Sequence, residues 1–418
     1  MKVKRLQMQF FRGIGNLTLD FHQTEPTILI GINGVGKSSV LDCITILLSR
    51  FTSPIQSSTA SGRIFTKEDV TNRRLITRNE ITISVDSQEV IWSLTKWKQR
   101  SGKYAGSSLM DLRKLLEKVQ QELRSNPKLN LTVIIYYDVN RAVLDIPLRI
   151  RRKKYSSEQI HAYDQALTGG KIDFRFFFEW FRNQEDLENE SLRDNPNDRD
   201  KLLETVRKAI YLLLPEFSNL RVRRSPLRMT VKKQGQELII NQLSDGEKCL
   251  LAMVGDLARR LAIANPGLPD PLQGDGVVLI DEIELHLHPK WQREIIPALT
   301  RTFPNCQFIV TTHSPQVISQ VKPEGIYILE KTDEGVVAKR PESSFGRDSN
   351  RILEDLMDVP ARPQEIKESL LELFRLIDAG NLEGARQLRQ QLANEIGADE
   401  PEFVKADVLI RRKEIINR

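Results

Sequence analysis

Cysteine is scarce in this chain of 418 residues: three in all, Cys43, Cys249 and Cys306, far apart and without paired spacing. That excludes a disulfide framework and a thiolate zinc site, and it predicts a reducing compartment. Long apolar runs are missing as well. No stretch approaches the ~18 uninterrupted apolar residues of a membrane-spanning helix, and Met1-Lys-Val-Lys-Arg5 leads into an alternating strand instead of a signal-peptide core. The expectation is a soluble, cytoplasmic protein. Sustained heptads are also absent, which excludes a long coiled-coil arm. A strong excess of one charge is lacking too: 62 basic residues stand against 56 acidic, a formal net charge of +6 and a pI near 9.1. So mild a surplus permits a nucleic-acid partner without demanding one. With 40% hydrophobic and 28% charged residues, the length suits one elaborated globular domain or two.

Against these absences stands Gly31-Ile32-Asn33-Gly34-Val35-Gly36-Lys37-Ser38. Pro26 to Ile30 before it is a β-branched run that reads as a buried strand, and Ser39 to Leu48 after it has the apolar spacing of a helix on a sheet. Strand, glycine loop and helix in that order make a phosphate cradle: glycines let successive backbone N–H groups turn inward, and the helix N-terminus adds partial positive charge. Asn33, Gly34, Val35, Gly36, Lys37, Ser38 and Ser39 are the candidate nucleotide contacts. Lys37 would reach the β- and γ-phosphates, and the Ser38 hydroxyl would ligate Mg²⁺. The bland alternative is a glycine turn with a stray lysine.

Leu243-Ser244-Asp245-Gly246-Glu247-Lys248 precedes a helical pattern from Cys249 to Ala258. Ser244 and Glu247 fit a capping box, which is by itself a sufficient reading. Gly274-Asp-Gly-Val-Val-Leu-Ile-Asp281-Glu282 is an apolar strand ending in two carboxylates, and Phe308-Ile-Val-Thr-Thr-His313-Ser314-Pro315 is another ending in a histidine.

In this order the four motifs resemble the ABC-type ATPases. Phe10-Phe11-Arg12-Gly13 and Glu284-Leu-His286-Leu-His288-Pro289 look like the SMC/RecF-like branch. Within it the chain is similar to the small ATP-binding subunits of Septu-type and retron-associated anti-phage systems, through Ile135-Tyr-Tyr-Asp-Val-Asn-Arg141, Asn350-Arg-Ile-Leu-Glu-Asp-Leu356 and Ile410-Arg-Arg-Lys-Glu414. The resemblance implies an α/β P-loop NTPase of ABC type, with a β subdomain, a helical insertion and a C-terminal helical extension. It implies a homodimer that sandwiches ATP, with Ser244 and Gly246 facing the γ-phosphate held by the other subunit. It further implies Arg12 near the phosphates and a separate HNH-type nuclease as effector. The overcoming-lysogenization nucleases look similar but add a metal-dependent nuclease domain. The residues after about Arg340 are few and carry no D-x-D pair. A RecF-like DNA-repair or maintenance ATPase is the alternative.

Hydrolysis chemistry assigns the remaining roles. Phosphoryl transfer to water needs charge neutralisation, a metal and an oriented water. Asp281 is suited to hold Mg²⁺ through a water, Glu282 to act as general base, and His313 to bond the γ-phosphate. A satisfied structural histidine is the plain alternative for His313, as a surface arginine is for Arg12. His286 and His288 alternate, but no third ligand completes a metal site.

The expected organisation is an N-terminal lobe over 1–150, a helical insertion over 151–215, a second ATPase lobe over 216–340 and a helical extension over 341–418. Ile81 to Val85 and Val90 to Leu94 read as antiparallel strands about an Asp86–Glu89 turn, Leu109 to Arg124 as a helix, Leu131 to Tyr137 as a buried strand, and Glu188 to Asp200 as a mobile break between helices. Gln88, Asn140 and Arg141 are candidates for the glutamine-loop role. Two basic clusters, Arg149, Arg151, Arg152, Lys153 and Lys154, and Arg221, Arg223, Arg224, Arg228, Lys232 and Lys233, are either solvated faces or phosphate contacts for DNA or RNA. Gln364 to Ala379, Asn381 to Ile396 and Pro401 to Ile416 read as helices separated by Gly380 and Gly397.

Overall fold

Short, mostly apolar strands make up the parallel sheet because they are covered on both faces. The computed structural model describes residues 1–98, 106–126, 128–139, 159–168, 174–333 and 335–416. It divides into two units, Met1–Arg347 and Asp348–Arg418. In chain order the first contains β1 (Lys2–Phe11), β2 (Ile14–Asp20), β3 (Thr27–Ile30), α1 (Lys37–Gln56), β4 (Ile76–Val85), β5 (Gln88–Trp97), α2 (Met110–Ser125), β6 (Val133–Tyr137), α3 (Phe174–Asp194), α4 (Lys201–Leu213), β7 (Phe217–Arg224), β8 (Leu227–Lys233), β9 (Gln236–Ile239), α5 (Asp245–Ala264), β10 (Gly276–Ile280), α6 (Pro289–Thr302), β11 (Cys306–Thr311), α7 (Pro315–Ile318), β12 (Ile326–Thr332) and β13 (Gly335–Lys339).

One sheet has the order β13-β12-β3-β11-β10-β6. All its pairs are parallel except β12 with the edge strand β13. Every residue of β3, β6, β10 and β11 is buried. Because β3, β11 and β10 are neighbours running the same way, the loops that leave them emerge side by side. In open α/β sheets that carboxyl edge is where ligands bind.

The β subdomain is the antiparallel sheet β2-β1-β4-β5. Its β4–β5 hairpin turns on Asp86 and Ser87 alone, both with positive φ of 48° and 66°, as a primed two-residue turn requires. The expected four-residue turn is therefore shorter and both strands are longer. Trp92 of β5 is buried and donates its indole N–H to Leu47 O of α1, which fastens this sheet to the helix after the glycine loop.

Residues 188–200 differ from expectation. α3 continues to Asp194, and Glu188 is 3% exposed. Arg207 of α4 bonds Glu188 at 2.9 Å and also meets Glu185 and Glu204. The polar letters are one half of an ion-pair network, and the break is confined to 195–200, where Asp200 caps α4. Inside α5, Asp256 is buried between Arg259 and Arg260, each at 2.8 Å, and accepts from Tyr137 Oη at 3.1 Å. Burial pushes the Asp256 carboxyl up, but the two guanidinium groups outweigh it and leave the pKa at about 2.

The second unit consists of α8 (Ser349–Met357), α9 (Gln364–Asp378), α10 (Leu382–Ile396) and α11 (Pro401–Ile416). Leu370, Leu373, Ile377, Leu392, Phe403 and Ile410 are central to its core. Gly380 (φ +80°) and Gly397 (φ +96°) follow α9 and α10 in backbone conformations that favour glycine. The three expected helices are present, preceded by α8.

Asp256→Asn leaves two buried guanidinium groups without their counter-charge and is expected to cost about 3–5 kcal/mol. All four tryptophans lie in the first unit, so urea unfolding followed by their fluorescence reads that loss. A folded pKa near 2 against roughly 3.9 unfolded means the carboxylate stabilises fully above about pH 4–5, and its contribution drains away as pH falls toward 2. The variant is expected to lose that part of the acid dependence.

Candidate functional site

The glycine loop leaves the buried end of β3 at Gly31, where φ is +146° and a Cβ would stand 2.5 Å from Leu329 O of β12. Gly36 precedes α1 with φ +112°, its Cβ position 3.1 Å from the Ile14 side chain. Side chains at either position would break the loop or its packing. Val35 is buried beneath the turn, whereas Asn33, Gly34 and Ser38 are exposed and Ser39 half-buried. Lys37, 7% exposed, folds back and donates to Gly31 O at 2.9 Å and Ile32 O at 3.1 Å. Burial lowers its pKa, while Asp281, Glu282 and Glu284 pull it the other way. The glycine loop and the carboxylates at the end of β10 thus share one electrostatic neighbourhood.

A single hydroxyl bonds the Asp281 carboxylate and the backbone N–H of Glu282. Thr311, the last residue of β11, donates its Oγ1–H to Asp281 Oδ1, and the same oxygen accepts from Glu282 N at 2.7 Å. Asp281 N donates to Tyr137 O at 2.8 Å, and Ile283 N to Thr311 O at 3.0 Å. Glu282 has φ +46°, rare for a residue with a Cβ, so the chain turns sharply out of the strand and leaves Glu282 half-buried. Two residues on, Glu284 accepts from Thr312 Oγ1 at 2.7 Å and from His313 N at 2.5 Å. His313 is half-buried, held by its backbone.

Ser244 caps α5 in a reciprocal box. Glu247 N donates to Ser244 Oγ at 3.4 Å, and Glu247 Oε2 accepts from Ser244 N at 3.0 Å and Ser244 Oγ at 2.8 Å. The capping reading is therefore present in full. Gly246 has a neighbour within the chain: its Cβ would lie 2.5 Å from His286 O, and His286 has φ +63°. The start of α5 rests on the loop that follows the two carboxylates. Among the described residues, no hydrogen bond or ion pair joins Ser244 or Gly246 to residues 31–38.

Arg12, in the β1–β2 turn with φ +44°, donates Nε–H to Asp69 at 2.7 Å and its other arm to Asp42 of α1. It is neither a loose surface arginine nor aimed only at the loop. His288 caps α6 by accepting from Lys290 N at 3.3 Å, and among the described residues no group of three His, Cys, Asp or Glu could hold a metal. Mg²⁺ needs no such cage, since it binds through one or two protein oxygens plus phosphate and water. The exposed Ser38 hydroxyl and the Asp281 carboxylate fit that donor set.

Gln88 starts β5 at the hairpin end, paired with Val85; Asn140, Arg141 and the whole of Arg149 to Lys154 lie outside the described residues. Four of the six cations in the second cluster have carboxylate partners within the chain. Arg221 and Arg223 share Glu237 at 3.0 Å, Arg224 meets Glu185 and Asp186, and Lys233 meets Glu247. Sequence reasoning missed Thr311 and Glu284 as site residues. Both lie inside runs quoted for other reasons, and nothing in those runs shows that they face each other's segment. Among the described residues, no helix is long and apolar enough to cross a membrane.

Residues 27–319 match a family described as "AAA domain, putative AbiEii toxin, Type IV TA system". The chain is 32% identical, over 99% of its length and 87% of the relative's, to the "Retron Ec83 probable ATPase" of Escherichia coli. It is 30% identical, over 90% and 82%, to the corresponding Vc95 retron protein of Vibrio cholerae serotype O1 biovar El Tor. Septu protein PtuA of Bacillus thuringiensis is 24% identical over 91% of this chain and 90% of its own.

Thr311→Val keeps the side-chain volume and removes the hydroxyl that anchors Asp281 and Glu282. It is expected to slow ATP turnover by about 10–10²-fold at unchanged far-UV circular dichroism; a wild-type rate would show the hydroxyl to be dispensable.

Proposed function

The chain belongs to this AAA-domain family, its motif resemblance to the retron and Septu ATPases is borne out, and we propose that it hydrolyses ATP between two copies of itself to control a nuclease effector in anti-phage defence. The observation that supports this best is the convergence at one sheet edge of Lys37 with Asp281, Glu282 and Glu284. A lysine within electrostatic reach of three carboxylates suits a ligand that brings both phosphates and a metal.

In this reading Lys37 exchanges two loop carbonyls for β- and γ-phosphate oxygens. Ser38 and, through a water, Asp281 would hold Mg²⁺, which would supply charge neutralisation for the phosphates. Glu282 takes a proton from the attacking water as the water oxygen bonds to the γ-phosphorus and the bridging P–O bond to ADP breaks. His313 bonds the γ-phosphate. Arg12 reaches a phosphate by releasing Asp42. Ser244 and the N-terminus of α5 complete the site of the other protomer, since a helix start is an anion site.

The effector rests on the relatives: the chain is similar nearly end to end to proteins named for retron and Septu systems, and a separate HNH-type nuclease is the class of partner proposed. Direct DNA binding as the main role loses support from the internal pairing of the Arg221–Lys233 cluster.

Glu282→Gln is expected to keep ATP affinity, lower kcat by at least about 10²-fold and trap an ATP-dependent dimer visible by light scattering. Ser244→Ala added to that variant is expected to abolish the trapped dimer. It tests the shared site better than a change at Gly246, whose contact with His286 O would distort the chain's own loop. A trapped dimer that survives Ser244→Ala would count against the shared site. Full turnover by Glu282→Gln would refute its role as base.

A further inference from the structure

Both oxygens of the Glu284 carboxylate are engaged by the segment that carries His313: Oε2 by Thr312 Oγ1 at 2.7 Å and Oε1 by His313 N at 2.5 Å. Thr312 is completely buried. The bond to His313 is made to its backbone, so it fixes where the imidazole begins and takes up neither ring nitrogen. Two residues further along the same loop, His286 O lies where only the missing Cβ of Gly246 leaves room for it. We propose that Glu284 is a positioning residue that holds His313 against the γ-phosphate and ties it to the loop on which the start of α5 rests. This deepens the function proposed above and rests on His313 contacting that phosphate.

Charge-assisted hydrogen bonds to a carboxylate are short and strong. Without Glu284 the Thr312 hydroxyl and the His313 N–H lose their acceptor, and the segment settles elsewhere. A displacement of about 1 Å at a positioning group costs on the order of 10²-fold in rate. ADP has no γ-phosphate, so it does not sense a displaced His313, whereas the charge that Glu284 contributes around Lys37 acts on ADP and the ATP analogue alike; the ratio of the two affinities isolates the positioning role. A role confined to general loop support would weaken ADP and ATP alike.

The test uses the full chain and measures kcat, together with calorimetric Kd values for ADP and for a non-hydrolysable ATP analogue. The variants are Glu284→Ala, Glu284→Gln, His313→Ala and the Glu284→Ala/His313→Ala pair. Glu284→Ala is expected to lower kcat by about 10–10²-fold and to weaken the analogue at least 5-fold relative to ADP. Glu284→Gln, which keeps the shape and one accepting oxygen, falls between. The double variant is expected to match His313→Ala within 3-fold, because Glu284 acts through His313. Losses that multiply in the double variant, or equal weakening of ADP and analogue, overturn the proposal. An impaired His313→Ala beside a silent Glu284→Ala also removes it while leaving the proposed function intact. A silent His313→Ala removes the premise and the inference together.

Discussion

Parallel pairing of β3, β11 and β10 is the constraint on which the site depends. Parallel strands put their carboxyl ends at one edge, and pairing Ile309 with Thr27 and Leu279 with Ile309 leaves no freedom in how far each end projects. Thr311 is then level with Leu29, Asp281 follows the Ile280–Val310 pair into the same row, and the glycine loop starts at Gly31, two residues beyond Leu29. A slip of one residue would turn each side chain to the opposite face, and with every position of these strands buried such a slip would drive polar ends into the core. The hydrophobic effect thus sets a polar geometry that no local hydrogen bond could set alone.

That row concentrates negative charge. Asp281, Glu282 and Glu284 favour the charged form of Lys37, while burial works against it. A metal ion beside these carboxylates adds positive charge, and phosphates then offset it. Nucleotide and metal are therefore expected to bind together more strongly than either alone. Arg12 is paired instead with Asp42 and Asp69.

How much of this could be read from letters depends on sequence distance. The glycine loop, the capping box at Ser244 and the strand ending in Asp281-Glu282 are local patterns, and each is where the sequence places it. Glu284 and Thr311 escaped notice because their significance is a contact across about thirty residues of chain, and neither residue type is unusual. The basic strand stayed open between two readings for the same reason: Arg221 and Arg223 do alternate on β7, but Glu237, on β9, supplies a carboxylate that strand alternation cannot foresee. The polar stretch from Glu188 looked mobile because half of its ion-pair network is on α4. Where chemistry is carried by neighbours in sequence it was legible, and where it is carried by neighbours in space it was not.

The proposed shared site asks Ser244 to serve both as a cap and as a phosphate ligand. Its hydroxyl donates to Glu247 Oε2, but that carboxylate also accepts from Ser244 N at 3.0 Å and from Lys233 at 2.5 Å. Burial pushes the Glu247 carboxyl up; the bonds from Lys233 and Ser244 outweigh it and keep the acid charged. If the hydroxyl proton turns toward a phosphate, Glu247 keeps two partners and the helix keeps its acidic first turn. The rearrangement is one rotation about a C–O bond with no unsatisfied group left behind. Meanwhile Gly246, seated on His286 O, holds the helix start in place against the carboxylate loop. A preformed anion site of this kind would lose little order on binding, which is what the proposed site between two copies requires, since each copy would have to present its half before the other arrives.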